Sequence, residues 1–219
     1  MATAAPRQQP ISAAANRRLT LVHRTGGGPP PGEVAQPPVS NAQLGVLIFI
    51  AFEAMIFVGL LASYWVLRSA SFAWPPPDMP RLPLAVTWVN TAILLFSGFT
   101  MWRSVVAIRA GDHNALRSAL LATAVLGTVF LVVQGSEWVR LIQQGLTLSS
   151  SSFGSIFYTM IGLHGLHVVG AVVWLLAVLV VTQRRHYTAR RHAGVILCAM
   201  YWYFVCALWV VLFATVYLS

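Results

Sequence analysis

Residues 153–183 read FGSIFYTMIGLHGLHVVGAVVWLLAVLVVTQ, a stretch that contains no Asp, Glu, Lys or Arg. A membrane-spanning helix needs about 20 consecutive, predominantly apolar residues, so this stretch is long enough to cross a bilayer. Because lipid offers backbone groups no water to bond with, a spanning segment should be helical. The sequence therefore predicts an all-α integral membrane bundle of five transmembrane helices, at about 44–67, 84–106, 117–142, 153–183 and 193–217.

The composition agrees with a chain whose solvent is mostly lipid. Hydrophobic residues make up 58% of the chain and charged residues 9%, against about 25% charged residues in an ordinary soluble domain. This deficit excludes the soluble enzyme classes. The net charge of +9 comes from fourteen Arg residues, with no Lys, that lie between apolar runs. A nucleic-acid binder concentrates its basic residues on one face, so no nucleic-acid partner is expected.

The arginines also predict an orientation. Residues 1–43 hold four of them together with the run GGGPPPG, a composition typical of a flexible tail. Three more lie in the 103–117 connection and four in the 184–192 connection, so eleven of the fourteen fall on one side of the bundle. By the positive-inside rule that side is cytoplasmic. We therefore expect a flexible cytoplasmic N-terminal tail over 1–43 and a periplasmic C-terminus.

Two acids lie inside predicted spans. Glu53 is nine residues into the first span with no basic residue near it there. A carboxylate at that depth costs at least about 2.5 kcal/mol, so Glu53 should be protonated, paired across helices or bound to a ligand. Glu137 follows Gln134 by three residues and precedes Arg140 by three, which places all three on one helix face and favours a local ion pair.

Two histidines, His164 and His167, are one helical turn apart in the fourth span. They could ligate one metal ion, but no third ligand with suitable spacing accompanies them. Gly162, Gly165 and Gly170 surround them, a pattern typical of close helix contacts. We therefore favour hydrogen bonding within a tight helix contact over metal or haem ligation, and predict no metal site.

At this point the chain, from about residue 44 to its end, resembles subunit III of the haem–copper oxidases. The first span carries the family's intramembrane glutamate at Glu53, and the second its Asn-Thr pair, beginning at Asn90. The third ends in the family's Q-x-x-E-aromatic signature. The matching motifs are FEAMIFVGLLASYWVLR (52–68), LLFSG (94–98), GTVFLVVQGSEW (127–138), GSIFYTMIGLHGLHV (154–168) and YWYFVCALWVVLFATVYL (201–218).

The resemblance implies a non-catalytic subunit of a terminal oxidase of aerobic respiration, in the five-helix form typical of the bacterial inner membrane. Such a subunit flanks subunit I, binds phospholipid, and supports proton uptake and stability during oxygen reduction. Haem and copper are expected in the partner subunits, which include subunit II and small subunits, and none in this chain. By resemblance, the residues that line or support the lipid cleft are Glu53, Glu137, His164 and His167.

The same resemblance assigns packing and signature roles to Asn90, Gln134, Trp138, Gly162, Gly165, Tyr201, Trp202 and Trp209. Two positions depart from the family pattern: Tyr203 stands where the family has His, and Cys206 where it has Asp. These departures keep a related accessory subunit of a nitric oxide reductase open as an alternative. A stand-alone proton or ion carrier that uses Glu53, and a haem protein that uses two histidines, are the alternatives from other classes.

Overall fold

The computed structural model describes residues 40–76, 80, 82–183 and 192–218. Within these ranges every regular element is a helix, which confirms the predicted all-α class. Each helix is long and apolar enough to cross a membrane. Most of the predicted tail, residues 1–39, lies outside the described residues. The helices are α1 (Asn41–Ser69), α2 (Leu84–Ala110), α3 (His113–Gln143), α4 (Ser152–Gln183) and α5 (Ala193–Tyr217).

Local capping signals set several helix ends beyond the apolar stretches. Ser40 and Gln43 form a reciprocal capping box, so α1 begins three residues before the apolar run. Gly111, with φ of 77°, takes the left-handed conformation that ends α2. The next residue, Asp112, accepts hydrogen bonds from the backbone of Asn114 and Ala115 and so begins α3. Because these capping residues are polar, the hydropathy pattern does not predict where these helices begin and end.

Four of the helices form a closed ring, in which α2 packs against α3, α3 against α4, α4 against α5, and α5 against α2. The remaining helix, α1, packs against α4 and α5 from outside the ring. The difference shows in burial: α5 has thirteen buried residues, whereas α1 has two, Phe57 and Tyr64. The contact of α1 with the ring is therefore narrow. Because few apolar side chains are buried there, polar groups within the contact contribute a larger share of its stability.

Candidate functional site

The Glu53–His167 pair lies where α1 meets α4. The Oε2 atom of Glu53 makes a short contact with Nε2 of His167, and the two side chains are 16% and 12% exposed. The ring of Phe57, one turn further along α1, lies edge-on to His167 with centroids 5.4 Å apart. Of the possibilities that the sequence left open for Glu53, the structure shows pairing across helices.

The second ring nitrogen of His167 determines how many protons the pair holds. Nδ1 of His167 lies 2.7 Å from the carbonyl oxygen of Leu163. A carbonyl only accepts hydrogen bonds, so Nδ1 carries a hydrogen. The contact between Nε2 and the Glu53 carboxyl group then requires one further proton between them, held by either partner. In both cases the pair is neutral overall, which suits a site among apolar helices.

His164 lies in a different environment, although it is only one turn from His167. It is 1% exposed and stacks on Trp209, with centroids 5.1 Å apart. Within the described part of the chain, neither of its ring nitrogens has a hydrogen-bond partner. The expectation that both histidines hydrogen-bond within a helix contact is therefore wrong for His164, because its ring faces aromatic side chains of α3 and α5 instead of an acid.

A second group of polar side chains, the terminal polar cluster, consists of Asn90, Gln134 and Tyr217. Nδ2 of Asn90 donates to the carbonyl oxygen of Phe130 at 3.2 Å and lies 3.4 Å from Oε1 of Gln134. Nε2 of Gln134 lies 3.4 Å from the hydroxyl group of Tyr217. The cluster therefore joins α2, α3 and α5. The sequence indicated Asn90 and Gln134 by resemblance but gave Tyr217 no role in such a network.

Glu137 lies one turn beyond Gln134 and forms the predicted ion pair within α3. Its Oε1 atom accepts a hydrogen bond of 2.8 Å from Nη1 of Arg140. The Glu137 side chain is 7% exposed and that of Arg140 is 65% exposed. The pair thus has one buried and one solvent- or headgroup-facing member, and its hydrogen bond lies within α3.

The signature glycines of α4 leave room for an aromatic ring from α3. A β-carbon at Gly165 would come within 3.0 Å of Cη2 of Trp138, and one at Gly162 within 4.0 Å of the same atom. This confirms a close approach at these two glycines. At Gly170 nothing in the described part of the chain lies within 4 Å of such a carbon, so the expected close helix contact is not formed there among these residues.

The signature aromatic residues of α5 hold this helix against α2. Nε1 of Trp202 donates to the hydroxyl group of Ser97 at 3.1 Å, and Nε1 of Trp209 donates to that of Thr91 at 2.9 Å. Tyr201 faces the other side, where its ring lies 5.8 Å from that of Phe49 on α1. Both buried indole N–H groups thus donate to hydroxyl groups that lie within the apolar sequence of α2.

The two departures from the family pattern lie in unlike places. Cys206 is buried, and its thiol lies 3.7 Å from the carbonyl oxygen of Leu94 on α2. Tyr203 is 38% exposed on the outer surface of α5. The substitution at Cys206 therefore bears on packing between α2 and α5, whereas the substitution at Tyr203 changes the surface of the bundle.

Possible metal ligands are dispersed in the structure. Over residues 40–76, 80, 82–183 and 192–218, no three His, Cys, Asp or Glu side chains come together in a group that could hold a metal ion. His164 and His167 share one helix but have different neighbours: aromatic rings surround the first, and Glu53 binds the second. The apolar bundle therefore contains two polar features, the protonated Glu53–His167 pair and the terminal polar cluster.

Five apolar helices of membrane length, with a neutralised acid–base pair between two of them, define a multi-pass membrane protein. Comparison with known sequences identifies its family. The sequence model of the family described as cytochrome c oxidase subunit III matches residues 32–219. The chain therefore belongs to the cytochrome c oxidase subunit III family, whose members are accessory subunits of haem–copper oxidases. This membership implies a complex with other oxidase subunits, which together form a respiratory oxidoreductase.

Individual relatives support the same assignment. The chain is similar to cytochrome c oxidase subunit 3 of Synechocystis, with 41% identity over 175 residues, which cover 80% of this chain and 74% of that protein. It is 39% identical over 176 residues to the probable cytochrome c oxidase subunit 3 of Nocardia farcinica, and these residues cover 80% of this chain and 86% of that protein. The cytochrome c oxidase subunit 3 of Pelomedusa subrufa is 31% identical to the chain over 187 residues, which cover 81% of this chain and 69% of that protein.

Proposed function

We propose that the chain is a non-catalytic subunit of a bacterial haem–copper oxidase and lies beside subunit I in the inner membrane. In this role it binds phospholipid and sustains proton uptake while the haem and copper centres of its partners reduce oxygen. Its N-terminus is cytoplasmic and its C-terminus periplasmic, as the distribution of arginines favours. The residues that we assign to lipid binding and proton uptake are Glu53, Glu137, His164 and His167.

The observation that supports this proposal most strongly is the Glu53–His167 pair. An acid within a membrane span is expensive and usually functional. Here it is held in a neutral pair at the narrow contact between α1 and the ring of helices. A pair that keeps one proton in the membrane interior can influence proton movement in a neighbouring subunit without itself carrying out redox chemistry.

The exposed surface of α1 supports the proposed contact with lipid. Phe52 and Met55, which flank Glu53 on this helix, are 65% and 69% exposed. Apolar side chains of this size, displayed at membrane depth, suit acyl chains or a partner's helices. Glu53 therefore lies close to a surface that lipid can reach while its carboxyl group remains bonded to α4.

Co-purification tests the assignment to an oxidase complex. The chain should be tagged, extracted from its native membrane in mild detergent and analysed by visible spectroscopy and by identification of its partners. We expect a haem spectrum, copper and a subunit I partner. A chain that purifies without a haem-bearing partner would contradict the proposal, as would proton transport by the isolated chain in liposomes.

Enzyme lifetime tests the role of Glu53. In Glu53→Gln the oxidase should assemble with a normal haem spectrum but inactivate in fewer turnovers than wild type. Glu137→Gln makes the same chemical change in the other acid that we assign to this role, whose ion pair lies within α3, and it should shorten the lifetime less. A lifetime equal to wild type in Glu53→Gln would leave Glu53 with a structural role only.

A further inference from the structure

A recess of about 240 Å³ lies between α2 and α3, near the connection that joins these helices. Its lining consists of Thr100 and Arg103 on α2 and of Ser118, Ala119 and Ala122 on α3. Because four of these five side chains are small, they leave a furrow between the two helices. Among the described residues no acidic side chain lines the recess, and the guanidinium of Arg103 is its charged group.

Arg103 carries a charge that is unpaired within the described part of the chain. Its side chain is exposed, and none of the hydrogen bonds or ion pairs between the described residues includes it. Asp112 lines a second recess beside Arg103 but forms no ion pair with it, and its Oδ1 atom caps α3. A guanidinium binds phosphate oxygens through paired N–H donors. An anionic group that approaches from outside the bundle can therefore reach Arg103 and bind it.

The recess lies at the depth of the glycerol and phosphate groups of a phospholipid. The hydroxyl groups of Thr100 and Thr123 are 2.7 Å apart, which places these residues at one level. Counted from Thr128 in the middle of α3, Thr123 is roughly 8 Å and Ser118 roughly 15 Å away at 1.5 Å per residue. Arg103 is one turn beyond Thr100, and its long side chain extends further toward water. Since the hydrocarbon layer ends about 15 Å from the midplane, the guanidinium lies at its boundary.

Apolar side chains continue the furrow toward the middle of the membrane. Phe99 and Phe96 lie one and two turns before Arg103 on the same face of α2. Both are exposed, and their rings stack with centroids 5.9 Å apart. Val125 and Val129 are exposed on the face of α3 that lines the recess. From the membrane surface inward, the furrow thus presents a cation, a small recess and an apolar track, which is the order of phosphate, glycerol and acyl chain in a phospholipid.

The charge at this end of the two helices selects among phospholipids. Residues 103–117 hold three arginines, Arg103, Arg109 and Arg117, against the single acid Asp112. A positively charged region at a membrane surface attracts anionic headgroups, which have no cationic group of their own. We propose that the α2–α3 recess binds an anionic phospholipid such as phosphatidylglycerol, with its phosphate on Arg103 and one acyl chain along the apolar track.

This site is separate from the Glu53–His167 pair, because α2 and α3 carry neither residue of the pair. The inference rests on the proposed place of the chain in an oxidase complex, but not on the proposed role of Glu53. Its test counts bound lipid, whereas the tests of the proposed function measure haem, copper, partners and enzyme lifetime. The two can therefore fail separately.

The complete complex should be reconstituted in phosphatidylcholine nanodiscs that contain increasing fractions of phosphatidylglycerol, released in mild detergent and analysed by native mass spectrometry. We expect wild type to retain at least one more phosphatidylglycerol than Arg103→Gln. The apparent affinity of this variant should fall about tenfold, the effect of a hydrogen bond between charged groups. The matched control Arg109→Gln removes an exposed arginine that does not line the recess, and its affinity should fall less than about threefold.

A second variant tests the recess and leaves the charge in place. In Ala122→Leu the larger side chain fills the apolar part of the recess, so the lipid should be lost although Arg103 is present. Unchanged retention in this variant would mean that Arg103 holds a phosphate group without a seat for the lipid, and would overturn the proposal. Equal retention in Arg103→Gln and wild type, or equal retention of phosphatidylcholine, would also overturn it. So would release of a partner subunit in Arg103→Gln, because Arg103 would then pair with an acid of that subunit.

Discussion

Both intramembrane acids of this subunit have a basic partner, yet the two pairs are built differently. Glu53 on α1 binds His167 on α4, 114 residues away, and both side chains are largely shielded. Glu137 binds Arg140 within one turn of α3, and Arg140 is largely exposed. The first pair exists only when two helices dock, whereas the second can form in an isolated helix. The comparison predicts that only the first contributes to tertiary structure.

The largest effect should follow from removal of the basic partner of Glu53. In His167→Leu the acid remains at membrane depth without a partner, which should lower the free energy of unfolding by about 2 kcal/mol. Unfolding by sodium dodecyl sulfate in mixed micelles measures this change. The control His164→Leu removes an imidazole that has no hydrogen bond within the described residues, so its effect should be smaller. An equal loss in both variants would show that ring packing, not the pair, is responsible.

A smaller effect is expected when the acid becomes an amide. In Glu53→Gln the new amide group can still donate to Nε2 of His167, so the contact between helices persists in weaker form. We expect a loss of about 1 kcal/mol in the same unfolding assay, the value of an ordinary hydrogen bond. A loss as large as that in His167→Leu would mean that the charge of the carboxyl group, and not its bonding, stabilises α1.

The local pair should contribute still less. In Glu137→Gln the exposed Arg140 can turn to water or lipid headgroups, so the free energy of unfolding should fall by about 0.5 kcal/mol. Measurement alongside Glu53→Gln applies the same substitution to both pairs. If the Glu137 variant were the less stable of the two, the distinction between a tertiary pair and a local pair would be lost.

The smallest effect is the response to salt. Because Arg140 is 65% exposed, ions can screen its attraction to Glu137, whereas the Glu53–His167 pair is shielded and neutral overall. Raising the ionic strength from about 0.1 M to about 1 M shortens the screening length from about 10 Å to about 3 Å. The stability difference between wild type and Glu137→Gln should shrink, and that for Glu53→Gln should not change. Equal salt dependence in both would contradict this.

Hydropathy was sufficient to predict the five helices, because each apolar run in the sequence is longer than a bilayer requires. The Glu137–Arg140 pair was also predictable, since spacing along one helix fixes which side chains meet. The partner of Glu53 was not, because it depends on which helix faces which. The same limit explains why His164 and His167, alike in the sequence, have an aromatic partner and an acidic partner respectively.

The hydrogen bonds between α5 and α2 were likewise not predictable from the sequence. Trp202 and Trp209 were indicated only by resemblance, and their acceptors Ser97 and Thr91 lie more than 100 residues away. The sequence does not indicate which residue will hydrogen-bond to a hydroxyl group within an apolar run. Docking of α5 on α2 determines these bonds, and it also places the thiol of Cys206 against the backbone of Leu94.

A double-mutant cycle on Glu53 and His167 tests most directly whether this pair stabilises the contact of α1 with the ring of helices. The unfolding free energy is measured for wild type, Glu53→Gln, His167→Leu and the double variant. We predict that the double variant loses about 1 kcal/mol less than the sum of the single losses, because contacting groups are coupled. Losses that add to within about 0.3 kcal/mol would contradict the account, since independent sites behave in that way.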